Sequence, residues 1–455
     1  MDYQTVNPCT EELEALFPVH KNSHVETAIK SSVPAFKRWR AEPVAVRCDL
    51  LNRVADSLLK QAERYARLMA VEMGKPLPEG IAEINKCAAA CRHYAENSAE
   101  YLHPDVVATD AKKSYVSFEP LGPIFAIMPW NFPFWQVIRF AAPTLALGNV
   151  VLLKHAPNTP QCALALEELF RDAGAPVGVF QSLFMNVEQS ARAIEDFRVK
   201  GVTFTGSTRA GREIAAAAGR ALKPCVMELG GSDPFIVLED ADLELAAETA
   251  VAARCLNSGQ SCIAAKRFLI QKKVFLDFAE QFVRSMRSRV VGNPQDAGVQ
   301  IGPLARRDLR DQLHLQVQRS IGMGAKAACG GKIPEGKGFF YPPTVLLNAP
   351  QNSPARRDEM FGPVATLIPF DKDEDAFTVA NETQYGLGAS VWTKDKDRAA
   401  RFIVALDAGC VFVNGMVKSD ARIPFGGAKN SGFGRELGRE GMLEFANKKT
   451  VWIAG

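Results

Sequence analysis

Ile124-Phe-Ala-Ile-Met128, Val150-Val-Leu-Leu153, Val179-Phe-Gln-Ser-Leu183 and Val202-Thr-Phe-Thr205 are short apolar runs, separated by stretches of helical composition such as Gln161 to Asp172 and Gln189 to Phe197. Continuous apolar runs of this length fit strands buried on both faces. Strands that alternate with helices fold as a parallel, doubly wound sheet. A second series of the same kind begins at Pro234-Phe-Ile-Val-Leu238. It continues through a helix from Asp242 to Arg254, the strand Phe268-Leu-Ile270 and a helix from Val274 to Val290. Strands follow at Val364 to Pro369, Gly388 to Trp392 and Cys410 to Asn414. The fold class is therefore α/β, with two doubly wound units meeting near Gly230-Gly231.

Outside these series, Val44 to Met73 and Glu79 to Ala99 carry helix-forming residues at helical spacing, so the N-terminal part reads as helical. His103 to Glu119 reads as a β-hairpin interrupting the first unit, and Thr450-Val-Trp-Ile453 is positioned to add a strand. A two-stranded ribbon is marginal alone, so pairing with another subunit is expected.

The 455 residues exceed what one hydrophobic core usually supports. Lys and Arg number 54 against 51 Asp and Glu, a net +3 that points to neither nucleic acid nor an anionic membrane. No basic and apolar leader opens the chain, and no run of about eighteen apolar residues occurs, so a soluble, cytoplasmic protein is expected. The ten cysteines show no disulfide framework. Cys87 and Cys91 lie four apart without a second pair or a histidine cluster, so both read as core residues and no metal is expected.

Five places suggest chemistry. Cys262 ends Asn257-Ser-Gly-Gln-Ser-Cys262, where small residues allow close backbone approach and an accessible thiol. A buried, inert cysteine is the alternative. Glu228 precedes Leu229-Gly230-Gly231 at a strand end beside the junction, where open α/β sheets build their sites. Burial there would raise its pKa toward that of a useful base. Gly206-Ser-Thr-Arg-Ala-Gly211 follows a strand and opens a helix, an arrangement that presents N–H groups to a phosphate or simply caps the helix. Lys154 ends another strand of that sheet, and Asn131, within Pro129-Trp130-Asn131-Phe132-Pro133, offers an amide to an oxyanion.

In order and approximate spacing, Pro129-Trp-Asn-Phe-Pro133, Gly206-Ser-Thr, Glu228-Leu-Gly-Gly231, Gly259-Gln-Ser-Cys262, Glu359-Met-Phe-Gly-Pro363 and Pro424-Phe-Gly-Gly427 resemble the aldehyde dehydrogenase superfamily. Lys154-His-Ala-Pro-Asn158, Leu229-Gly-Gly-Ser-Asp-Pro-Phe-Ile236, Ala264-Ala-Lys-Arg-Phe268 and Ser419-Asp-Ala-Arg422 narrow the likeness to bacterial succinate-semialdehyde dehydrogenases. The resemblance implies that Cys262 attacks the aldehyde. Asn131 and the Cys262 N–H would hold the alkoxide, and Glu228 would hydrolyse the thioester.

The same resemblance places Lys154 at the adenosine ribose, and Gly206, Ser207 and Gly211 around the pyrophosphate. Glu359 falls at the nicotinamide ribose, with Trp130, Leu229 and Phe361 lining the cofactor site. Relatives that prefer NAD often carry a glutamate where Pro157 stands, so NAD or NADP is left open. The implied substrate is succinate semialdehyde or another short or ω-carboxy aldehyde such as glutarate semialdehyde. Arg139 and Ser419 are the implied carboxylate contacts; an ion pair within the protein is the alternative for Arg139. Leu256 stands where some of these enzymes have a second arginine. Ala264 replaces the second cysteine of a redox switch. The implied division is a cofactor domain (1–102 and 120–230), a catalytic domain (231–435), and an arm (103–119 and 436–455) that builds a homodimer or homotetramer.

Overall fold

The computed structural model describes residues 2–455 and contains two large sheets. The first has the strand order Gly432–Phe433, Cys225–Glu228, Gly201–Thr205, Pro123–Ile127, Val150–Lys154, Phe180–Ser182, and only its Gly432–Phe433 edge is antiparallel. Pro123–Ile127 and Gly201–Thr205 are buried along their whole length, as continuous apolar runs require between two helical layers. From Pro123–Ile127 the chain builds outward in one direction, then returns to its other side with Gly201–Thr205. That reversal opens a crevice at the strands' carboxyl ends, where Trp130-Asn131 and Gly206-Ser207 lie.

The second sheet runs Lys326–Cys329, Thr344–Leu347, Val364–Phe370, Arg267–Gln271, Pro234–Val237, Gly388–Trp392, Cys410–Val413, parallel except at the first strand. The alternating strands and helices of the sequence are thus present. Gly432–Phe433, which the sequence reading assigns to the second unit, instead extends the first sheet against Met227 and Glu228.

Two further differences stand at the N-terminus and around the hairpin. Tyr3–Val6 pairs antiparallel with Leu13–Phe17, a small ribbon the helical reading did not include. Its Thr5 hydroxyl donates to the buried Glu72 carboxylate, which also accepts the Gln161 and Cys162 N–H groups at the start of helix Pro160–Asp172. The ribbon is held by a helix-terminus interaction, which leaves no periodic trace in the sequence. The expected hairpin is Asp105–Val106 with Lys113–Pro120, and Ala446–Ile453 joins it antiparallel to complete three strands. Before that last strand, helix Gly438–Leu443 lies near helix Trp135–Leu147 of the first unit. Among the described residues, no helix is long and apolar enough to cross a membrane.

Candidate active site

Between the carboxyl ends of the two sheets lies a cavity of about 400 Å³. Trp130, Asn131, Cys262, Gly206, Ser207, Leu229, Glu359 and Phe361 are among the residues that line it. These elements come from both sheets. The chain passes between the sheets at Leu229-Gly230-Gly231, where a Cβ on Gly230 would lie 2.6 Å from a Glu359 carboxylate oxygen. The Gly231 N–H donates to that carboxylate at 2.9 Å. Glycine is needed here for close approach.

The Cys262 turn is strained and braced. Asn257 and Ser258 both have φ of 55°, a left-handed conformation costly for non-glycine residues. A Cβ on Gly259 would stand 2.3 Å from the Gly362 carbonyl carbon, so this glycine serves packing of the turn on Gly362-Pro363 rather than approach to a ligand. The Asn257 side-chain amide donates to the carbonyls of Asn131 (2.7 Å) and Gln260 (3.1 Å), tying the cysteine turn to the Asn131 loop. Lys75 donates to the same Asn131 carbonyl at 3.0 Å and ion-pairs with Glu83, which caps Phe134 and Trp135 at the start of helix Trp135–Leu147. Asn131 is thereby fixed from three sides. One hydrogen of its amide goes to the Gln260 carbonyl, leaving the other for a ligand.

Burial pushes the Cys262 thiol up to about 12, against the pull of Arg139 and Lys266. The resting group is therefore the thiol, and its deprotonation places a charge beside two cations. Lys266 also donates to the carbonyls of Ser261, Cys262 and Ala264, holding the turn from beneath. Glu228 is 2 % exposed, and its carboxyl oxygens have no hydrogen-bond partner of normal geometry among the described residues. Burial raises its pKa well above the carboxylate range; Arg139 opposes this and Glu436 adds to it. Glu228 acts electrostatically on Cys262 without lining the cavity. It packs behind, with Gly426 against one carboxyl oxygen.

The remaining expected positions divide. Lys154 ends its strand in no ion pair among the described residues, its ammonium bonded to the His155 carbonyl and lowered to about 8 by burial. The Pro157 carbonyl accepts the Gln4 N–H, so the N-terminal ribbon abuts this position. Ser207 caps helix Thr208–Arg220 through Ala210. Gly211, expected at the pyrophosphate, is instead a packing position: a Cβ there would lie 2.4 Å from the Leu229 side chain. Ser419 lines a separate cavity together with Trp135.

Arg139 is the main correction. Although it shares a helix with the active-site mouth, its guanidinium is only 2 % exposed, ion-paired with the buried Glu436 and bonded to Thr205 at 3.2 Å. Glu436 and Thr205 engage the Nε and Nη2 edge of the guanidinium, the ion pair within the protein that stands as the alternative to a substrate contact. Glu436, Lys266, Glu79 and Glu83 were not singled out from sequence. Lys266 follows the cysteine by one short turn, and Glu79 and Glu83 share a helical face, which are signals that spacing carries.

A thiol, an amide donor and a strand-to-helix turn on one cleft between two α/β units, with a buried carboxyl behind the cavity, form a specific constellation. The aldehyde dehydrogenase family model matches residues 1–451. This chain belongs to the aldehyde dehydrogenase family. Over 454 residues and the full length of both chains it is 49 % identical to a probable succinate-semialdehyde dehydrogenase [NADP(+)] of Synechocystis. It is 44 % identical to the succinate semialdehyde dehydrogenase [NAD(P)+] Sad of Escherichia coli K12, covering 98 % of this chain and 97 % of that one. Among solved structures, a succinic semialdehyde dehydrogenase from Streptococcus pyogenes in complex with NADP+ superposes with a TM-score of 0.97 at 33 % identity, covering all of both chains. Gox0499 superposes at 0.98 and 42 % identity, again over both full chains.

The Arg139 pair yields a prediction. Arg139→Ala strands the buried Glu436 carboxylate, so the variant should lose about 3 kcal/mol of stability in denaturant unfolding. Its kcat/KM should fall by the same factor for a carboxylate-bearing and an uncharged aldehyde. A selective loss for the charged substrate would return Arg139 to the substrate site.

Proposed function

We propose that this enzyme oxidises succinate semialdehyde to succinate with NAD or NADP. The observation that carries the reading is full-length similarity at 44–49 % identity to enzymes of that name, joined to a cleft that brings Cys262 and Asn131 together in front of Glu228. The Gly206-Ser207 turn, the glycine cradle at Gly230 and the carboxylate of Glu359 fit a nicotinamide dinucleotide. The bound cofactor supplies a hydride acceptor. The first sheet with its Gly206 turn is the cofactor-binding unit in this reading, and the second contributes the cysteine turn.

Cys262 gives up its proton to solvent water, and its sulfur bonds to the aldehyde carbon as the C=O π pair moves onto oxygen. The alkoxide so formed accepts hydrogen bonds from the free Asn131 amide hydrogen and the Cys262 N–H. When the alkoxide collapses, the carbon loses a hydride and a thioester remains on Cys262. Glu228 then takes a proton from water, the hydroxide adds to the thioester carbonyl, and the C–S bond breaks to release the acid. Aldehyde, oxidised cofactor and water are consumed; acid, reduced cofactor and a proton leave. Since Glu228 is held neutral by burial, its turn as base follows loss of its own proton, so hydrolysis should accelerate as pH rises toward its elevated pKa.

The three-stranded sheet ends at Ala446–Ile453, with Trp452 53 % exposed, and offers eight residues of edge. In our reading this edge joins a second copy, giving a homodimer or homotetramer in the cytoplasm.

Steady-state rates with succinate semialdehyde, glutarate semialdehyde and butanal, each with NAD and NADP in parallel, test the assignment. The highest kcat/KM is expected with succinate semialdehyde. Equal values for butanal would replace the reading with a broad-specificity aldehyde dehydrogenase.

A further inference from the structure

With Arg139 withdrawn into an ion pair, the substrate carboxylate needs another cation. A second cavity, about 340 Å³, lies on the side of helix Trp135–Leu147 that Trp135 faces, while the adjacent Gln136 lines the Cys262 cavity. Cys262 and Ala421, the latter from the wall of the second cavity, both pack on the apolar cluster that contains Trp135. The one lysine that lines the second cavity, Lys86, lies over the Trp135 ring, one residue from Gln136 in the wall of the Cys262 cavity.

Lys86 sits on helix Leu77–Tyr101 at the third position of the face that starts with Glu79 and Glu83. Those two are committed to the Asn257 N–H and to the start of helix Trp135–Leu147. Lys86 is not committed. Its ammonium donates to the Ser419 hydroxyl at 2.7 Å and lies 4.1 Å from the centre of the Trp135 ring, and no carboxylate lies within ion-pair distance among the described residues. The Trp135 indole N–H also donates to Ser419, at 3.2 Å. A half-buried ammonium has three donors; here a hydroxyl takes one and a ring face engages the cation. Burial without a counter-ion lowers its pKa to about 8, with Arg139 adding to the shift.

The other charges facing it are already paired. Glu83 is bound to Lys75, Arg139 to Glu436, and Asp420 to Arg422 through both carboxylate oxygens. Burial lowers the pKa of His93, which keeps that ring neutral, and raises the pKa of Cys87, which keeps that thiol protonated. An anion entering the cavity therefore meets one unsatisfied cation.

Resting on the substrate class proposed above, we infer that Lys86, assisted by Ser419, binds the substrate carboxylate and sets the preference for carboxylate-bearing aldehydes. The aldehyde end then reaches past Trp135 to Cys262.

The test compares kcat/KM for succinate semialdehyde and butanal in the wild type and in Lys86→Met, Lys86→Arg and Ser419→Ala. Lys86→Met should lose on the order of 10- to 100-fold with the semialdehyde, mainly through KM, and little with butanal. Lys86→Arg should recover most of the loss, and Ser419→Ala should show a smaller selective loss. In the wild type, KM for the semialdehyde should climb as pH passes about 8 and Lys86 loses its charge, while KM for butanal stays level. Lys86→Arg should flatten that climb, a readout that stands even if Lys86→Met does not fold. If the wild type prefers the semialdehyde and Lys86→Met keeps that preference, the carboxylate binds elsewhere and this inference falls while the substrate reading stands. If the wild type itself shows no preference, the substrate reading fails first.

Discussion

Glu228→Gln is expected to give one burst of reduced cofactor, close to one equivalent per active site, and then to stall. Glutamine keeps the shape of a carboxyl that burial already holds neutral, so packing against Gly426 and the surrounding loop should survive. What it removes is the capacity to take a proton from water. Thiol attack and hydride loss do not use that capacity, whereas hydrolysis does. Steady-state turnover should therefore fall by about 10²- to 10⁴-fold, the usual worth of a general base, with the burst amplitude preserved. The wild-type rate in the hydrolytic step should rise with pH as Glu228 ionises, and the variant's residual rate should lose that dependence. Stopped-flow absorbance of the reduced nicotinamide reads amplitude and steady state in one trace. A variant with no burst would show that Glu228 is needed before the thioester forms.

Cys262→Ala should remove both phases. Without sulfur there is no covalent intermediate from which a hydride can leave, and a loss of at least roughly 10⁴-fold is expected. The fold should persist, because alanine replaces a small, part-exposed side chain whose turn is braced by Lys266, by Asn257 and by Arg254, which donates to the Gly259 carbonyl. Unfolding midpoint and cofactor affinity close to wild type, together with absent turnover, separate loss of the nucleophile from loss of structure. Alanine at any of the other nine cysteines should leave the burst intact.

How much of this was legible in the chain depends on range. The apolar runs around Ile124, Val151 and Val202 announce buried parallel strands because both faces are covered, a property local to each strand. Cys262, Asn131 and Glu228 stand out because each sits in a short segment of glycine or proline. A Cβ would not fit at Gly230 or Gly259, though for Gly259 the reason is packing on Gly362. Gly432–Phe433 returns to the first sheet as a two-residue strand with Gly432 at φ of 117°, too short for any periodic signal. Arg139 was misplaced for a related reason. Helix Trp135–Leu147 is buried on every side, so its sequence has no polar face to show where an arginine points, and its partner Glu436 arrives from the far end of the chain. Lys86 carries the opposite lesson: its spacing from Glu79 and Glu83 is readable, but that it lacks a counter-ion becomes apparent only once the neighbouring charges are seen paired.

The central claim is that oxidation leaves an acyl group on Cys262 and that Glu228 removes it. Intact-protein and peptide mass spectrometry of Glu228→Gln, quenched in acid after mixing with succinate semialdehyde and oxidised cofactor, tests it directly. The account predicts a succinyl adduct on the Cys262 peptide in near-stoichiometric yield, absent from Cys262→Ala and scarce in wild type. Unmodified Cys262 in a Glu228→Gln sample that has already produced an equivalent of reduced cofactor would contradict it.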